Sequence, residues 1–390
     1  MKNCKTKVLM VTGSYHPEVS GTANQCRQLV NALNEKVSFK VLTTTRNSNL
    51  PRRGKVDEID VFRIVVGQRS VFKSIFIIPD FISFFLSNRN EFQIVHLHGF
   101  TNKSMILVLL AKVFRKKVVI LLTSVGHDDH QSMKKRGLLI NRFFSRADLY
   151  VGLSPRFYSI YESIGSKEEN FRLISNGVDI SRFCPVTNEE KAILRDHLRL
   201  PRNMKLIVFV GHFSREKCPD ILFEAWECFL LDIFPDTGIV FVGATDPDHY
   251  EVDIDLVKEV KKLARTYQGK RVFFVERTHE TEKYYQAADI FVMPSLREGL
   301  PNSMLEAMSC ELPVVISELE GVTDWVVEDS VNGLLFSPGS EVELSEKLIL
   351  LLRNADLSIA LGKKARKTIL ERFSIEETAK QYQNLYLSIS

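Results

Sequence analysis

DIFVMPSLREGLPNSMLEAMSCELPVVI, residues 289–316, reads as strand, turn, helix and strand in succession. Its two ends, DIFVMP and LPVVI, are short apolar runs without polar alternation, as strands buried on both faces must be. Between them a Gly-Leu-Pro-Asn turn leads into a helix expected to begin near Asn302 or Ser303. Two strands joined in this way are parallel neighbours, because a parallel pair cannot be closed by a tight turn.

The same unit recurs along the chain. Upstream in the second half lie KLIVFVG (205–211), GIVFVG (238–243) and RVFFV (271–275), which with the two runs above make one doubly wound sheet. A first series comprises KVLMVT (7–12), FKVLTT (39–44), VFRIVV (61–66), QIVHLH (93–98), KVVILL (117–122), DLYVGL (148–153) and FRLIS (171–175). The polar stretch from about 184 to 204, with Pro185 and Pro201, separates them. The fold class is therefore α/β, with two Rossmann-like parallel-sheet domains, 1–183 and 184–372, facing a central cleft where the carboxyl ends of both sheets place a ligand. The last segment, 373–390, sets Ala379, Tyr382, Leu385, Tyr386 and Ile389 on one helical face and must dock on something. No internal repeat or low-complexity tract is present.

Composition limits the function classes. Of 390 residues 45% are apolar and 26% charged, and Lys plus Arg (52) barely exceed Asp plus Glu (48), so nothing calls for nucleic acid. The six cysteines form no Cys-x-x-Cys pair and read as reduced thiols of a cytoplasmic protein. The amino-terminal apolar run is too short for a signal peptide. The longest apolar stretches, 72–86 and 105–114, are shorter than the roughly 20 residues of a membrane span.

The opening stretch carries chemistry as well as topology. Glu298 stands just beyond a strand's carboxyl end, and Glu306 lies about one turn inside the following helix. The first-turn N–H groups near Asn302 and Ser303 lack intrahelical partners and, with the helix dipole, form an anion site. Gly299 admits a ligand close to the backbone, and Pro301 stiffens the turn. The ordinary alternative is that Ser303 and Glu306 form a capping box and that Glu298 is a solvated loop acid.

The whole stretch resembles the signature of the retaining glycosyltransferases of family 4 (glycosyl transferases group 1), which have the GT-B fold. Glu298 and Glu306 stand at the two positions of its Glu-x7-Glu motif. The resemblance implies that Glu298 contacts the donor sugar and Glu306 the ribose hydroxyls of a UDP- or GDP-sugar. Gly299, Leu300, Pro301, Asn302 and Ser303 would lie beside sugar and pyrophosphate. GTANQCRQLVNAL (21–33) resembles the family's glycine turn and first helix, which places Gly21 beneath the phosphates. GHFSREKCPDILFEAW (211–226) resembles its Gly-Arg-x4-Glu-Lys-Gly motif, with Lys217 at the phosphate-binding lysine. ISNGVDISRFCP (174–185) and LEGVTDWVVEDSVNGLLFSPGS (319–340) agree in order, and the terminal helix would cross back to the first domain.

The departures are equally specific. His212 replaces the family's usual arginine, and Arg215 is a nearby substitute cation for the donor. Val125 stands where many relatives have a histidine, leaving His127, as a catalytic group, or Asp128 as replacements. Glu276 and Glu311 occupy frequent glycine positions, and Glu276 bears on nucleotide preference. His98 and Asp128 are the candidates for acceptor binding. His96, His98 and HDDH (127–130) could suggest a metal, but the resemblance implies that cations and helix ends meet the phosphate charge, so neither metal nor cofactor is expected. Asp246-Pro247-Asp248 reads as a turn.

The resemblance implies a cytoplasmic retaining hexosyltransferase using a nucleoside-diphosphate sugar and a glycan or lipid-linked acceptor, with no metal requirement, in polysaccharide, cell-surface glycan or glycolipid synthesis. The alternatives are a nucleotide-sugar epimerase or hydrolase of related fold, which needs no acceptor, and a silent nucleotide-sugar binder. Basic residues at 112–117 and 134–146, with phenylalanines among them, suit either an ordinary solvated face or weak peripheral attachment to an anionic inner membrane face.

Overall fold

The computed structural model describes residues 5–18, 20–66, 77–165, 167–243, 245 and 252–390. Cys4, the start of the apolar stretch 72–86 and Asp246-Pro247-Asp248 lie outside the described residues. The chain forms two compact units, Met1–Gly177 with Ile375–Ser390, and Val178–Ser374.

The first unit is built on eight strands: β1 (Thr6–Thr12), β2 (Val37–Thr45), β3 (Arg53–Val56), β4 (Ile59–Val65), β5 (Ile94–His98), β6 (Lys117–Leu122), β7 (Leu149–Gly152) and β8 (Phe171–Leu173). Their spatial order is β3-β4-β2-β1-β5-β6-β7-β8, and every pairing is parallel except β3 with β4. The chain moves outward from β1 through β2 and β4, then returns to place β5 on the other side of β1. That reversal leaves a crevice beyond the carboxyl ends of β1 and β5.

The second unit repeats the plan with six parallel strands: β9 (Lys205–Val210), β10 (Thr237–Val242), β11 (Val272–Val275), β12 (Ile290–Met293), β13 (Val314–Ser317) and β14 (Leu334–Phe336). The order β11-β10-β9-β12-β13-β14 puts the reversal between β9 and β12. Phe209, Phe213, Trp226, Phe241 and Leu256 fill the core on one side, each contributing about 1.5–3 kcal/mol by leaving water. The buried Trp226 indole donates to Thr237 Oγ1 at 3.0 Å, so its one polar atom is satisfied.

Asp289, immediately before β12, ties the start of that strand to its surroundings. Its carboxylate accepts from Lys191 Nζ (2.8 Å), Arg195 (2.6 Å) and the Leu206 amide (2.7 Å). Burial pushes this carboxyl up, but the two cations outweigh it and hold it below the usual range. At the opposite edge Gly243, with φ +152°, lies so close to Gly211 that a Cβ would stand 1.9 Å from the Gly211 carbonyl oxygen. The loop after β9 therefore starts from a fixed position.

The units divide between Gly177 and Val178, ahead of the boundary expected after residue 183. The Val178 amide donates to Phe373 O at 2.9 Å and Ser309 Oγ donates to Phe183 O at 2.5 Å, which joins 178–183 to the second unit. The terminal helix, Ile375–Ile389, belongs to the first unit and packs on the helix Gly21–Leu33 with Ala379, Tyr382, Leu385 and Tyr386 buried. Tyr386 shares a 2.7 Å hydrogen bond with His96 Nδ1 on β5. No helix among the described residues is long and apolar enough to cross a membrane.

Candidate active site

Two loops meet at the reversal point of the second unit. After β9 the chain turns through Ser214–Cys218, where the amides of Lys217 and Cys218 both donate to Ser214 O at 3.0 and 3.1 Å. Cys218 takes a left-handed conformation (φ 47°), and Pro219 begins the helix Pro219–Ala225. After β12 the chain leaves through Pro294 and Ser295. The Leu296 amide donates to Glu216 O at 2.8 Å, and Arg297 forms an ion pair with Glu216.

This stitching brings Lys217 Nζ to 2.5 Å from Glu298 Oε1. The Glu298 side chain is 8% exposed and that of Lys217 24%, so the pair is largely shielded from water. At such a site the attraction is weakly screened, and removal of either partner leaves a costly unpaired charge. The solvated loop acid of the ordinary reading is not what forms.

The helix Asn302–Ser309 begins directly after Pro301, whose side chain makes no cap hydrogen bond. Ser303 and Glu306 do not form the capping box that their spacing allows. Glu306 instead accepts a hydrogen bond from the Tyr285 hydroxyl at 3.0 Å, on the neighbouring helix Thr281–Ala287. Burial pushes the Glu306 carboxyl up to about 7, while the Tyr285 hydroxyl and the charge of Arg182 pull the other way. Arg182 is itself held by Glu282 at 2.6 Å. Gly299, Leu300 and Pro301 are buried in the turn, and Asn302 and Ser303 are partly exposed at the helix start. The buried hydroxyls of Ser295 and Ser317, after β12 and at the end of β13, have no hydrogen-bond partner among the described residues.

Tyr285, Arg182, Ser295 and Ser317 did not stand out in the sequence. Apolar periodicity draws attention to strands and helices, and although Arg182 and Ser295 lie inside the stretches 174–185 and 289–316, neither was singled out there. The only signal available was position, since Ser295 and Ser317 end apolar runs in the way Glu298 follows one.

Several candidates have partners of their own. The Arg215 guanidinium is engaged by Glu259 at 3.1 Å and Asp253 at 3.3 Å, with its side chain 55% exposed. His212 follows Gly211 directly and is partly buried. The Glu276 carboxylate, beyond β11, accepts from Thr245 Oγ1 at 2.5 Å and faces Lys261 at 3.7 Å.

In the first unit Gly21 opens the helix Gly21–Leu33, whose start is capped by Ser20 Oγ accepting from the Ala23 amide. His98, the last residue of β5, is buried beside His96 with ring centroids 4.6 Å apart, and burial lowers its pKa to about 4. Neither of its ring nitrogens has a partner among the described residues. Asp128 is held within its own loop. It is buried, and its two oxygens accept from the Thr123 amide and hydroxyl and the Ser124 amide at 2.7–3.0 Å, which shapes the loop after β6. His127 is exposed on that loop, with Nδ1 3.3 Å from Arg136. His130 is enclosed by Phe144, Tyr150 and Tyr161. Among the described residues no three His, Cys, Asp or Glu side chains gather as a ligand set.

An open hollow of about 550 Å³ lies beside this loop, with Val125, Ser132, Lys135, Arg136, Arg156 and Ser159 in its walls. Another, of about 490 Å³, surrounds the Asp289 network at the amino ends of the second sheet, the end at which ligands of such sheets do not bind.

Comparison with known proteins gives a consistent result. The pattern of Glycosyltransferase Family 4 matches residues 19–182, and that of Glycosyl transferases group 1 matches residues 190–368. D-inositol 3-phosphate glycosyltransferase of Corynebacterium urealyticum is 28% identical over 267 residues, which are 68% of this chain and 62% of that protein. The alignment thus spans less than two thirds of that relative. The structure of HepE from Anabaena in complex with UDP and glucose superimposes with a TM-score of 0.79 at 20% identity, over 98% of this chain and 100% of that one. Sucrose-phosphate synthase of Thermosynechococcus elongatus gives a TM-score of 0.81 at 22% identity, over 98% and 99%. At these identities the likeness concerns the fold, two parallel-sheet α/β domains of the GT-B type.

Proposed function

We propose the following chemistry for a chain that belongs to the glycosyltransferases of family 4 and group 1, the one pattern spanning its first half and the other its second: it moves a sugar from a UDP- or GDP-sugar to an acceptor hydroxyl, with retention at the anomeric carbon. The observation that carries this reading is the shielded Lys217–Glu298 pair at the carboxyl ends of β9 and β12. A leaving nucleoside diphosphate needs a fixed cation and oriented N–H groups to stabilise the charge it gains. Lys217 supplies the first and the start of the helix Asn302–Ser309 the second.

In the reaction, the acceptor oxygen bonds to the anomeric carbon as the bond to the diphosphate oxygen breaks. The acceptor proton passes to the departing phosphate on the same face, so the configuration is retained without a protein nucleophile. Glu298 holds donor sugar hydroxyls and orients Lys217, and Glu306 receives the ribose hydroxyls. No metal or cofactor takes part. The acceptor is a glycan or lipid-linked glycan held by the first unit, in polysaccharide or glycolipid assembly on the cytoplasmic side of a membrane.

Thermal unfolding with UDP, GDP, ADP and dTDP tests the donor site. A nucleotide at 100 times its dissociation constant adds about 2.7 kcal/mol of stability. One nucleotide is expected to raise the midpoint of the native chain and to lose that effect in Lys217→Ala and Glu306→Ala. If no nucleotide shifts the native chain at millimolar concentration, the proposal fails. If sugar nucleotide is consumed equally fast without acceptor, an epimerase or hydrolase replaces the transferase.

A further inference from the structure

We infer that Arg63 is a positioning residue for the transfer: from inside the first sheet it fixes the loop after β1, residues 13–18, in the shape that meets the acceptor. The inference rests on the proposed function and adds to it a residue of the first unit. In β4, IDVFRIV, Arg63 stands on the same face as the buried Ile59 and Val61, and it is itself only 5% exposed. Among the described residues it makes no ion pair, and its Nε has no hydrogen-bond partner. Glu18 favours its charge from beyond bonding distance, the Glu18 Oε1 accepting from Thr45 at 3.0 Å.

An unpaired cation in such a place is costly, and an apolar side chain would suit the strand better. What the guanidinium obtains is contact with two backbone carbonyls. Nη2 donates to His16 O at 2.7 Å, and Nη1 donates to Pro51 O at a long 3.4 Å. The stronger bond thus goes to the loop after β1. A local rule broken at a cost in stability is what a functional constraint leaves behind.

The position of the loop says where that constraint acts. It leaves β1 beside β5, at the reversal of the sheet, where folds of this kind bind their ligands. Side chains from other elements shape it. Thr44 Oγ1, near the end of β2, donates to Gly13 O at 2.7 Å, and Arg27 of the helix Gly21–Leu33 brings Nη1 to 3.2 Å from His16 Nδ1. A guanidinium only donates, so Nδ1 accepts and the neutral His16 ring carries its proton on Nε2. Arg27 is fixed in turn by Asp57 at 2.6 and 2.9 Å. Arg27 therefore orients the His16 ring while Arg63 holds the carbonyl of the same residue, and the partly exposed His16 is presented in one place and one tautomer.

Arg63→Met tests the inference, because it keeps a long side chain and removes the charge. His16 is partly exposed and Pro51 exposed, so water can take over their carbonyls. The unfolding midpoint of the full chain is therefore expected to lie at or above the native one. Backbone amides between residues 13 and 18 are expected to exchange hydrogen at least about tenfold faster, the contribution of one charge-assisted hydrogen bond, with β1 and β2 unchanged. Transfer to methyl glucoside, methyl galactoside and methyl mannoside, followed as nucleotide release, should show kcat/KM for the acceptor lowered by a similar factor. The nucleotide-induced midpoint shift should stay as in the native chain. A residue that only stabilised the fold would lower midpoint and rate together, and that result overturns the inference. So does unchanged exchange in the loop, whether or not the native chain uses one of these glycosides. A native chain that no nucleotide stabilises is a different result, the failure of the donor site in the second unit.

Discussion

Nucleotide binding should depend on pH through Glu306. Burial raises this carboxyl to about 7 in the ligand-free protein, above its value in the unfolded chain. The group therefore favours the folded state below its unfolded pKa, and that contribution is lost as pH rises through about 7. On the proposed reading the ribose hydroxyls donate to Glu306, which accepts best when ionised, so the bound state works in the opposite direction. At one pH unit below 7 about one chain in eleven has the carboxylate ready, and at one unit above about ten in eleven do. The dissociation constant should accordingly be about tenfold larger at pH 6 than at pH 8, or about 1.4 kcal/mol. Calorimetric titration across this range measures it. The nucleotide phosphate titrates nearby, so the readout is the difference between the native chain and Glu306→Gln, whose slope should be flatter by that factor. Tyr285→Phe removes the hydroxyl that pulls the carboxyl down and should move the midpoint upward. Equal slopes in native chain and Glu306→Gln, or tighter binding at low pH, would refute the reasoning.

Two further outcomes follow from the geometry. Lys217→Ala should slow turnover by about one to two orders of magnitude or more, the value of a charge-assisted hydrogen bond at the transition state. It should also cost about 3 kcal/mol of stability, at the low end for a broken buried pair because Lys217 is 24% exposed. Adding Glu298→Gln should recover most of the stability and none of the turnover, measured by denaturant unfolding and initial rates. Gly243→Ala should destabilise by more than about 3 kcal/mol, because its Cβ meets the Gly211 carbonyl at 1.9 Å. Gly269→Ala, with φ +75° and nothing within 4 Å, should cost only about 1–2 kcal/mol, so similar losses at the two sites would contradict the packing argument.

The fold was legible wherever burial imposed a pattern. All the apolar runs read as strands contain strands, because a parallel sheet covered on both faces demands continuous apolar segments. The strands that escaped notice are the ones that need no such pattern. β3, RGKV, is a polar edge strand, turned back on β4 by Asp57 and Glu58, both with positive φ, without the Asn-Gly or Asp-Gly signal of such turns. Asp57 is supported instead by Arg27 and Asn31, far away in sequence. β14, with three residues, is too short to show periodicity. The candidate-site loops were legible as motifs, but the partners of their side chains were not. Arg215 could be read as a free cation until the helix Ile254–Leu263 brought Glu259 to it.

The spacing of Glu298 and Glu306 marks two acids around one turn, and tertiary structure then makes them chemically different. One is answered by a cation from the loop after β9, the other by a neutral phenol from the preceding helix. A carboxylate beside a lysine can share that charge with an incoming phosphate and accept sugar hydroxyls without carrying an unpaired charge into a shielded site. A carboxyl raised to about 7 beside a hydroxyl remains adjustable, and ligand hydroxyls that donate to it pull it to the ionised form. The division matches the two ends of a nucleotide sugar, the charged centre where the bond breaks and the neutral ribose that only has to be held. In Tyr285→Lys a second cation beside Glu306 would ionise it permanently, and the pH dependence of binding should vanish while the Lys217–Glu298 pair and its contribution to turnover persist.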